Sequence, residues 1–182
     1  MGLRVSSVYG SRMIGPDDDL VIVTSRLVLR PIRVDDAAEM VVVLADPGLH
    51  EFTGGQPATP DELHSRYADW VVGSGSPDEL WLNWIVRRRS DEIAVGTLQA
   101  TVEHPDAAAT AFVAWTIGVP WQRQGYATEA AVALVDWLVD RGIESIVAHV
   151  HPEHAASSAV AARAGLQRTS DSLDGEVVWR RR

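Results

Sequence analysis

Apolar and polar residues alternate along several short segments in the first two thirds of the chain, and this alternation predicts β-strands. In residues 24–33, Leu27 and Leu29 fall on one side and Arg26 on the other, which is the pattern of a half-buried strand. Further strands are predicted at residues 80–87, 93–103 and 110–119. With a turn at residues 90–92 between two of them, this part of the chain predicts an antiparallel meander.

Two helices are predicted between the first strand and the meander. The first begins at Asp35, and its apolar positions recur at helical spacing: Ala38, Val41, Val42 and Ala45. The second follows Thr59-Pro60-Asp61-Glu62, which reads as a capping box with proline at the first helical position. Its expected buried face consists of Leu63, Tyr67, Trp70 and Val71.

In the last third of the chain, a long segment with helical spacing of its apolar residues follows the alternating segments. Residues 128–141 predict a strongly amphipathic helix with these apolar positions: Ala131, Leu134, Val135, Leu138 and Val139. A short apolar strand at 145–150, an alanine-rich helix at 157–164 and a last strand at 177–180 follow. A strand, a helix and another strand in this order predict a right-handed parallel crossover.

Composition limits the classes of function. The 182 residues, 46% hydrophobic and without cysteine, predict one domain over 21–182 behind an N-terminal arm at 1–20. The lack of cysteine excludes a thiol nucleophile. The net charge of −9, in a chain whose basic residues are all arginine, disfavours nucleic acid and favours an amine substrate. No stretch has the length of a membrane span, so the expected location is the cytoplasm.

The segment between the predicted strand at 110–119 and the long helix is the strongest candidate for chemistry. Gly125 and Ala127 are small enough for a ligand to approach the backbone. The free amides of this loop and of the first helical turn converge there, as a diphosphate requires. The spacing is Q-x-x-G-x-A from Gln122, which matches neither a P-loop nor a dinucleotide fingerprint. Taken alone, an ordinary glycine-bearing connection explains the loop equally well.

Three segments together resemble the GNAT acetyltransferase superfamily, in its branch of ribosomal-protein N-terminal acetyltransferases. They are T-S-R-L-V-L-R-P at 24–31, Q-G-Y-A-T-E-A at 124–130, and H-A-A-S at 154–157 followed by A-G-L at 164–166. The resemblance implies an α/β (α+β) fold. Its central sheet is mixed, mostly antiparallel and twisted, with about six to seven strands and about four flanking helices. It also implies a splay between two strands at the acyl-CoA site.

The resemblance further implies that acetyl-CoA donates the acyl group and that no metal is needed. It assigns acetyl-CoA binding to Thr116, Ile117, Val119, Gln122, Arg123, Gln124, Gly125, Tyr126, Ala127, Thr128, His154 and Ser157. Ser157 would also protonate the leaving thiolate, because the tyrosine that does so in many relatives would fall at Ala161. His154 stands where the family usually has asparagine.

The general base is the weakest assignment, because Phe112 occupies the position of the usual glutamate. Glu103 is the candidate base, and His104, His50 and Glu51 are alternatives. The loop at 50–56 is expected to shape the acceptor pocket together with three tryptophans: Trp81, Trp84 and Trp121. The histidines His149, His151 and His154 would form a metal site only if the proline turn between them folded back.

The expected reaction moves an acetyl group to a primary amine of a peptide or small molecule, in a monomer or a homodimer. A non-catalytic acyl-CoA-binding module is the main alternative, because two positions depart from the family pattern. A protein-interaction domain with a decayed site is the third hypothesis.

Overall fold

The computed structural model describes residues 20–103 and 109–181, and these contain eight strands and four α-helices. The strands are β1 (Ile22–Val23), β2 (Leu27–Pro31), β3 (Glu79–Arg88), β4 (Ala94–Glu103), β5 (Thr110–Ile117), β6 (Ser145–Val150), β7 (Gln167–Leu173) and β8 (Glu176–Arg181). The helices are α1 (Ala37–Val43), α2 (Pro60–Val72), α3 (Tyr126–Asp140) and α4 (Ala155–Arg163). The predicted arm lies outside the described residues, apart from Leu20.

All eight strands form one open sheet in the order β1-β2-β3-β4-β5-β6-β8-β7. Every neighbouring pair is antiparallel except β5 and β6, which are parallel and joined through α3. The sheet is therefore mixed and mostly antiparallel, as the family resemblance implies. Its eight strands exceed the expected six to seven. The two that sequence does not predict are β1, which has only two residues, and β7, which is exposed and polar and lacks the alternation of a strand.

Apolar clusters cover both faces of the sheet. The larger one lies under α3 and α4 and includes Leu27 and Leu29, which are fully buried as predicted. The smaller one lies under α1 and α2, around Ile85 and Tyr67. The capping box at the start of α2 is present, with Thr59 accepting from the Glu62 amide and the Glu62 carboxylate accepting from the Thr59 amide.

The face predicted for α1 is wrong. Its buried residues are Ala37, Met40 and Val43, whereas Val42 is 74% exposed. The observed rotation buries Met40 and is accompanied by a network of ion pairs. Asp36 is paired with Arg30, and Glu39 with Arg87 at 2.6 Å, so the polar positions before and within α1 are tied to β2 and β3. Apolar spacing alone cannot include this constraint.

No helix within residues 20–103 and 109–181 combines the length and apolar character needed to cross a membrane.

Candidate active site

The loop between β5 and α3 has free amides, as its sequence predicts. Gly125 precedes α3 in the left-handed conformation with φ of 82°, and Arg123 also has a positive φ of 61°. In the part of the chain that the structure describes, no amide in residues 123–128 donates a hydrogen bond. Several donors at the positive end of one helix form a site for an anion. We call residues 122–128 the cradle; its free amides at 123–128 have the character of an anion site.

Two glutamines in the cradle brace it from within. The side-chain amide of Gln122 donates to the carbonyl oxygen of Ile117 at 2.9 Å, which ties the loop to the end of β5. Gln124 donates to the Pro120 carbonyl at 3.4 Å. The amide of Gln122 itself donates to the Val119 carbonyl, so the backbone amides available to an anion are those of residues 123–128. Val119 and Trp121 lie in a short 3-10 turn just before the cradle.

A second segment holds the cradle from outside, and sequence reasoning missed this contact. Arg26 donates through Nη1 to the Gln124 carbonyl at 2.9 Å and through Nε to Glu129 at 2.6 Å. Its guanidinium also lies over the Tyr126 ring, 4.8 Å from the centroid. Thr24 and Ser25 donate to the same carboxylate. We call residues 24–26 and Glu129 the cradle clasp.

The clasp keeps Glu129 ionised. Burial opposes its charge, but hydrogen bonds from Thr24, Arg26 and Ser25 outweigh that effect and lower its pKa from 4.5 to about 2. The first and second segments of the family resemblance are therefore in direct contact.

The strands β5 and β6 separate next to the cradle. They pair only from Thr110–Ser145 to Phe112–Val147, whereas β5 runs on to Ile117 and β6 to Val150. The later part of β5, including Thr116 and Ile117, therefore has an open edge toward β6. An extended ligand can pair with such an edge. This is the splay that the resemblance implies.

Ser157 lies beside this opening, in the first turn of α4. Its Oγ accepts a hydrogen bond from the indole nitrogen of Trp115 at 3.1 Å. Because Trp115 belongs to the unpaired part of β5, the bond places the hydroxyl next to the splay. Ala161, where many relatives have tyrosine, is fully buried.

The side chain of His154 caps α4. Its Nδ1 accepts from the Ser157 amide at 3.5 Å, and its ring stacks on Phe52 with centroids 4.3 Å apart. Burial lowers its pKa, although Glu51 partly opposes the effect. The ring of His151 also contacts Phe52, at 5.3 Å. Phe52 thus connects the loop at 50–56 to the start of α4.

The third histidine of the predicted cluster lies against a different aromatic ring. His149 packs against Phe112 with ring centroids 5.9 Å apart. Among the described residues, no group of three or more histidine, aspartate or glutamate side chains is arranged to hold a metal ion.

Near Phe112 the sheet face opposite α3 carries half-buried side chains, and we take it as the candidate acceptor face. Strand alternation and register place Trp81, Thr101 and Phe112 in one row on this face. The expectation for Trp84 is wrong. It is 1% exposed and packs edge-on against Trp137 in the core on the other side. Trp121 is half-buried between the two apolar clusters.

The candidate bases lie at different distances from this row. Glu103 is exposed at the end of β4, opposite Thr110 and two residues beyond Thr101. His50 bonds the Gly54 carbonyl through Nδ1 at 3.2 Å, and Glu51 is exposed near His154. His104 lies outside the described residues.

Comparison with known proteins agrees with this geometry. The family model described as Acetyltransferase (GNAT) domain matches residues 26–167. A search of curated protein sequences finds no match. Among solved structures, the chain is similar to a Vibrio cholerae protein provisionally described as a ribosomal-protein-serine acetyltransferase. The identity is 24%, the TM-score is 0.72, and 92% of this chain and 98% of that chain are covered.

Two further structures share the fold. An acetyltransferase from Agrobacterium tumefaciens is 24% identical with a TM-score of 0.65, covering 95% of this chain and 99% of that one. The microcin C7 self-immunity acetyltransferase MccE, solved with acetyl-CoA and AMP, is 16% identical with a TM-score of 0.69, covering 87% and 93%. Since the family model spans residues 26–167, most of the chain, the chain belongs to the GNAT acetyltransferase family as an acetyl-CoA-dependent N-acetyltransferase.

Proposed function

We propose that this enzyme transfers the acetyl group of acetyl-CoA to the primary amine of a peptide N-terminus or small molecule by direct attack, with Ser157 as the acid. One observation carries the proposal: the Ser157 hydroxyl lies beside the opening between β5 and β6, next to a cradle with free amides. The residues proposed to hold the diphosphate are Gln122, Arg123, Gln124, Gly125, Tyr126, Ala127 and Thr128. Thr116, Ile117, Val119 and His154 are proposed to contact the pantetheine arm.

The chemistry needs a proton at sulfur and a free electron pair on nitrogen. The neutral amine attacks the thioester carbon, so that a C–N bond forms and the C–S bond breaks. Ser157 donates its proton to the departing sulfur and regains one from solvent. The nitrogen loses a proton to a base. The backbone amide of Val119 is the proposed donor to the carbonyl oxygen during attack.

Glu103 remains the carboxylate proposed as that base, acting through water. Support comes from its place on the acceptor face, two residues along β4 from Thr101, the residue that pairs with Phe112. The net charge of −9 also favours a cationic amine near this face. Glu103→Gln should lower kcat at neutral pH, where the amine must lose a proton to react, and less at high pH, where the amine is already neutral. An unchanged profile of kcat against pH would remove Glu103 from the mechanism.

The test is an acceptor screen with acetyl-CoA that measures thiol release, using N-terminal peptides, polyamines and aminoglycosides. With an accepted amine, Ser157→Ala should lower kcat about 100-fold and leave the Kd for acetyl-CoA within about twofold. Ser158→Ala is the matched control, because it removes the neighbouring hydroxyl from the same helix. Equal turnover of Ser157→Ala and wild type would refute the acid assignment.

A non-catalytic acyl-CoA-binding module is the second candidate function. It is favoured by Phe112, since that position on β5 carries no carboxylate. In a thermal-shift assay, coenzyme A should then raise the midpoint through ligand linkage, with no thiol release across the same amines. Neither stabilisation nor turnover would favour an interaction domain with a decayed site.

A further inference from the structure

One hydrogen bond joins β5 to α4 beside the opening between β5 and β6. The indole N–H of Trp115 donates to Ser157 Oγ at 3.1 Å, although 42 positions separate the two residues. Phe112 is the last residue of β5 that pairs with β6, and Trp115 lies beyond it in the part of β5 that has no partner in β6. The bond therefore joins the strand edge proposed to receive the pantetheine arm to the hydroxyl proposed as the acid.

The direction of this bond determines where the serine proton points. An indole nitrogen is a donor only, whereas a hydroxyl has one proton and two lone pairs. Ser157 must therefore accept from Trp115, and its own proton is directed elsewhere. Serine in a helix otherwise tends to donate that proton to a carbonyl of the preceding turn. Among the described residues, the Ser157 hydroxyl donates to no protein acceptor.

The backbone of Ser157 is held independently of its side chain. Its amide donates to Nδ1 of the helix cap His154 at 3.5 Å. With the backbone fixed by the cap, the remaining freedom is the rotation of the side chain and of its O–H. The indole of Trp115 restricts both.

We propose that Trp115 is a positioning residue that orients Ser157 so that its proton points into the opening between β5 and β6. This inference rests on the proposed function, in which Ser157 protonates the sulfur as the C–S bond breaks. Negative charge develops on Ser157 Oγ as its proton moves to sulfur, and a proton from solvent neutralises it in the same step. A hydrogen bond donated to a charged oxygen is stronger than one donated to a neutral oxygen, so the indole also stabilises the serine during proton transfer. Two other described tryptophans, Trp84 and Trp81, donate through their indole nitrogens to the Leu20 carbonyl and to Glu79, away from this serine.

The test is a double-mutant cycle between Trp115→Phe and Ser157→Ala in the full chain, with acetyl-CoA and an amine identified by the screen. Trp115→Phe should lower kcat about tenfold and change the KM for acetyl-CoA by less than about twofold. In the Ser157→Ala background the same change should have no further effect, because no acid remains to be oriented. Trp70→Phe on α2 is the control for losing a partly buried indole.

A second variant distinguishes loss of the hydrogen bond from loss of folding. Replacing Trp115 with benzothienylalanine keeps the bicyclic shape and substitutes sulfur for the N–H, so it should reproduce the kinetic loss while preserving the melting temperature. If either variant lowers kcat by the same factor with and without Ser157, or if neither lowers it, the role assigned to Trp115 is refuted. If wild type acetylates no amine, the proposed function fails and this role fails with it. If wild type is active and only Ser157→Ala is impaired, the proposed function survives and the role of Trp115 does not.

Discussion

The cradle clasp makes a quantitative prediction for Glu129→Gln. In the structure the Glu129 carboxylate accepts from Thr24 Oγ1 at 2.6 Å, from the Arg26 amide at 2.9 Å and from Arg26 Nε at 2.6 Å. Glutamine has nearly the same shape but no charge, and its NH₂ group cannot accept a hydrogen bond. At least one of these donors therefore loses its acceptor.

The size of the effect follows from the pKa of Glu129. Lowering this pKa from 4.5 to about 2 corresponds to an upper bound of about 3 kcal/mol, at about 1.4 kcal/mol per unit of pKa. Solvent reduces that value, because the side chain of Arg26 is 47% exposed. Exposed ion pairs contribute about 1 kcal/mol or less, and charge-assisted hydrogen bonds about 1.5–3 kcal/mol. We expect Glu129→Gln to lower the free energy of unfolding by about 1–2 kcal/mol at pH 7.

The pH dependence identifies the cause. A carboxylate whose pKa is lower in the folded state stabilises the fold fully above its unfolded pKa of 4.5, and this stabilisation is lost as the pH falls toward about 2. Urea denaturation of wild type and variant should show the full difference at pH 7 and a smaller one below pH 4.5. Glu144→Gln, at an exposed glutamate, is the control. Equal stability at pH 7, or a difference that does not change with pH, would refute the reasoning.

Function should change with stability, because the clasp holds the cradle. Arg26 bonds the Gln124 carbonyl, and its Nη2 lies 3.4 Å from where a Cβ on Gly125 would stand. Once Glu129 no longer fixes Arg26, the KM for acetyl-CoA should rise several-fold, with kcat less affected. A loss of stability at unchanged KM would mean that the clasp supports the fold alone.

Two further predictions test other parts of the site. Gly96→Ala should lower the free energy of unfolding by about 1–3 kcal/mol or more, because an added Cβ would lie 2.1 Å from the Thr116 carbonyl oxygen. An unchanged urea midpoint would contradict this. Burial lowers the pKa of His154, so protonation favours the unfolded chain as the pH falls below about 6.5. Acidification from pH 7.5 to 5.5 should therefore destabilise wild type more than His154→Asn, whose amide oxygen can still cap α4; equal slopes in thermal melts would exclude this.

The parts of the fold that sequence predicts well are those that local patterns determine. The capping box at Thr59 and the apolar face of α3 depend on residues three or four positions apart, and both are present. Local sequence patterns do not predict features that depend on residues far apart in the sequence. The run Val41-Val42-Val43 is compatible with several rotations of α1, and the observed one buries Met40 and pairs Glu39 with Arg87 on β3. Strand β7 forms because β8 supplies backbone partners for a polar segment.

The candidate site likewise has features that the local sequence predicts and features that only the fold reveals. The glycine loop and Ser157 stand out locally, through small residues at a helix start and through resemblance. Trp84 and Trp81 look alike in sequence, yet β3 places them on opposite faces, one against Trp137 in the core and the other on the candidate acceptor face. The bond from Trp115 to Ser157 joins residues 42 positions apart, and those from residues 24–26 to Glu129 span more than 100. Only the folded sheet brings these residues together.

These distant contacts give a physical reason for two of the segments that carry the family resemblance. T-S-R at 24–26 supplies the donors and Glu129, in the segment after Gly125, supplies the acceptor. A left-handed glycine and free amides alone would leave the cradle flexible, because the amides that bind an anion cannot also bond within the protein. Side chains must then supply the rigidity: Gln122 and Gln124 brace the loop from within. Arg26 bonds the Gln124 carbonyl from outside, while Glu129 fixes the guanidinium. The strand segment and the loop segment thus form one hydrogen-bonded unit, in which the amides of residues 123–128 stay free for the anion that we propose they bind.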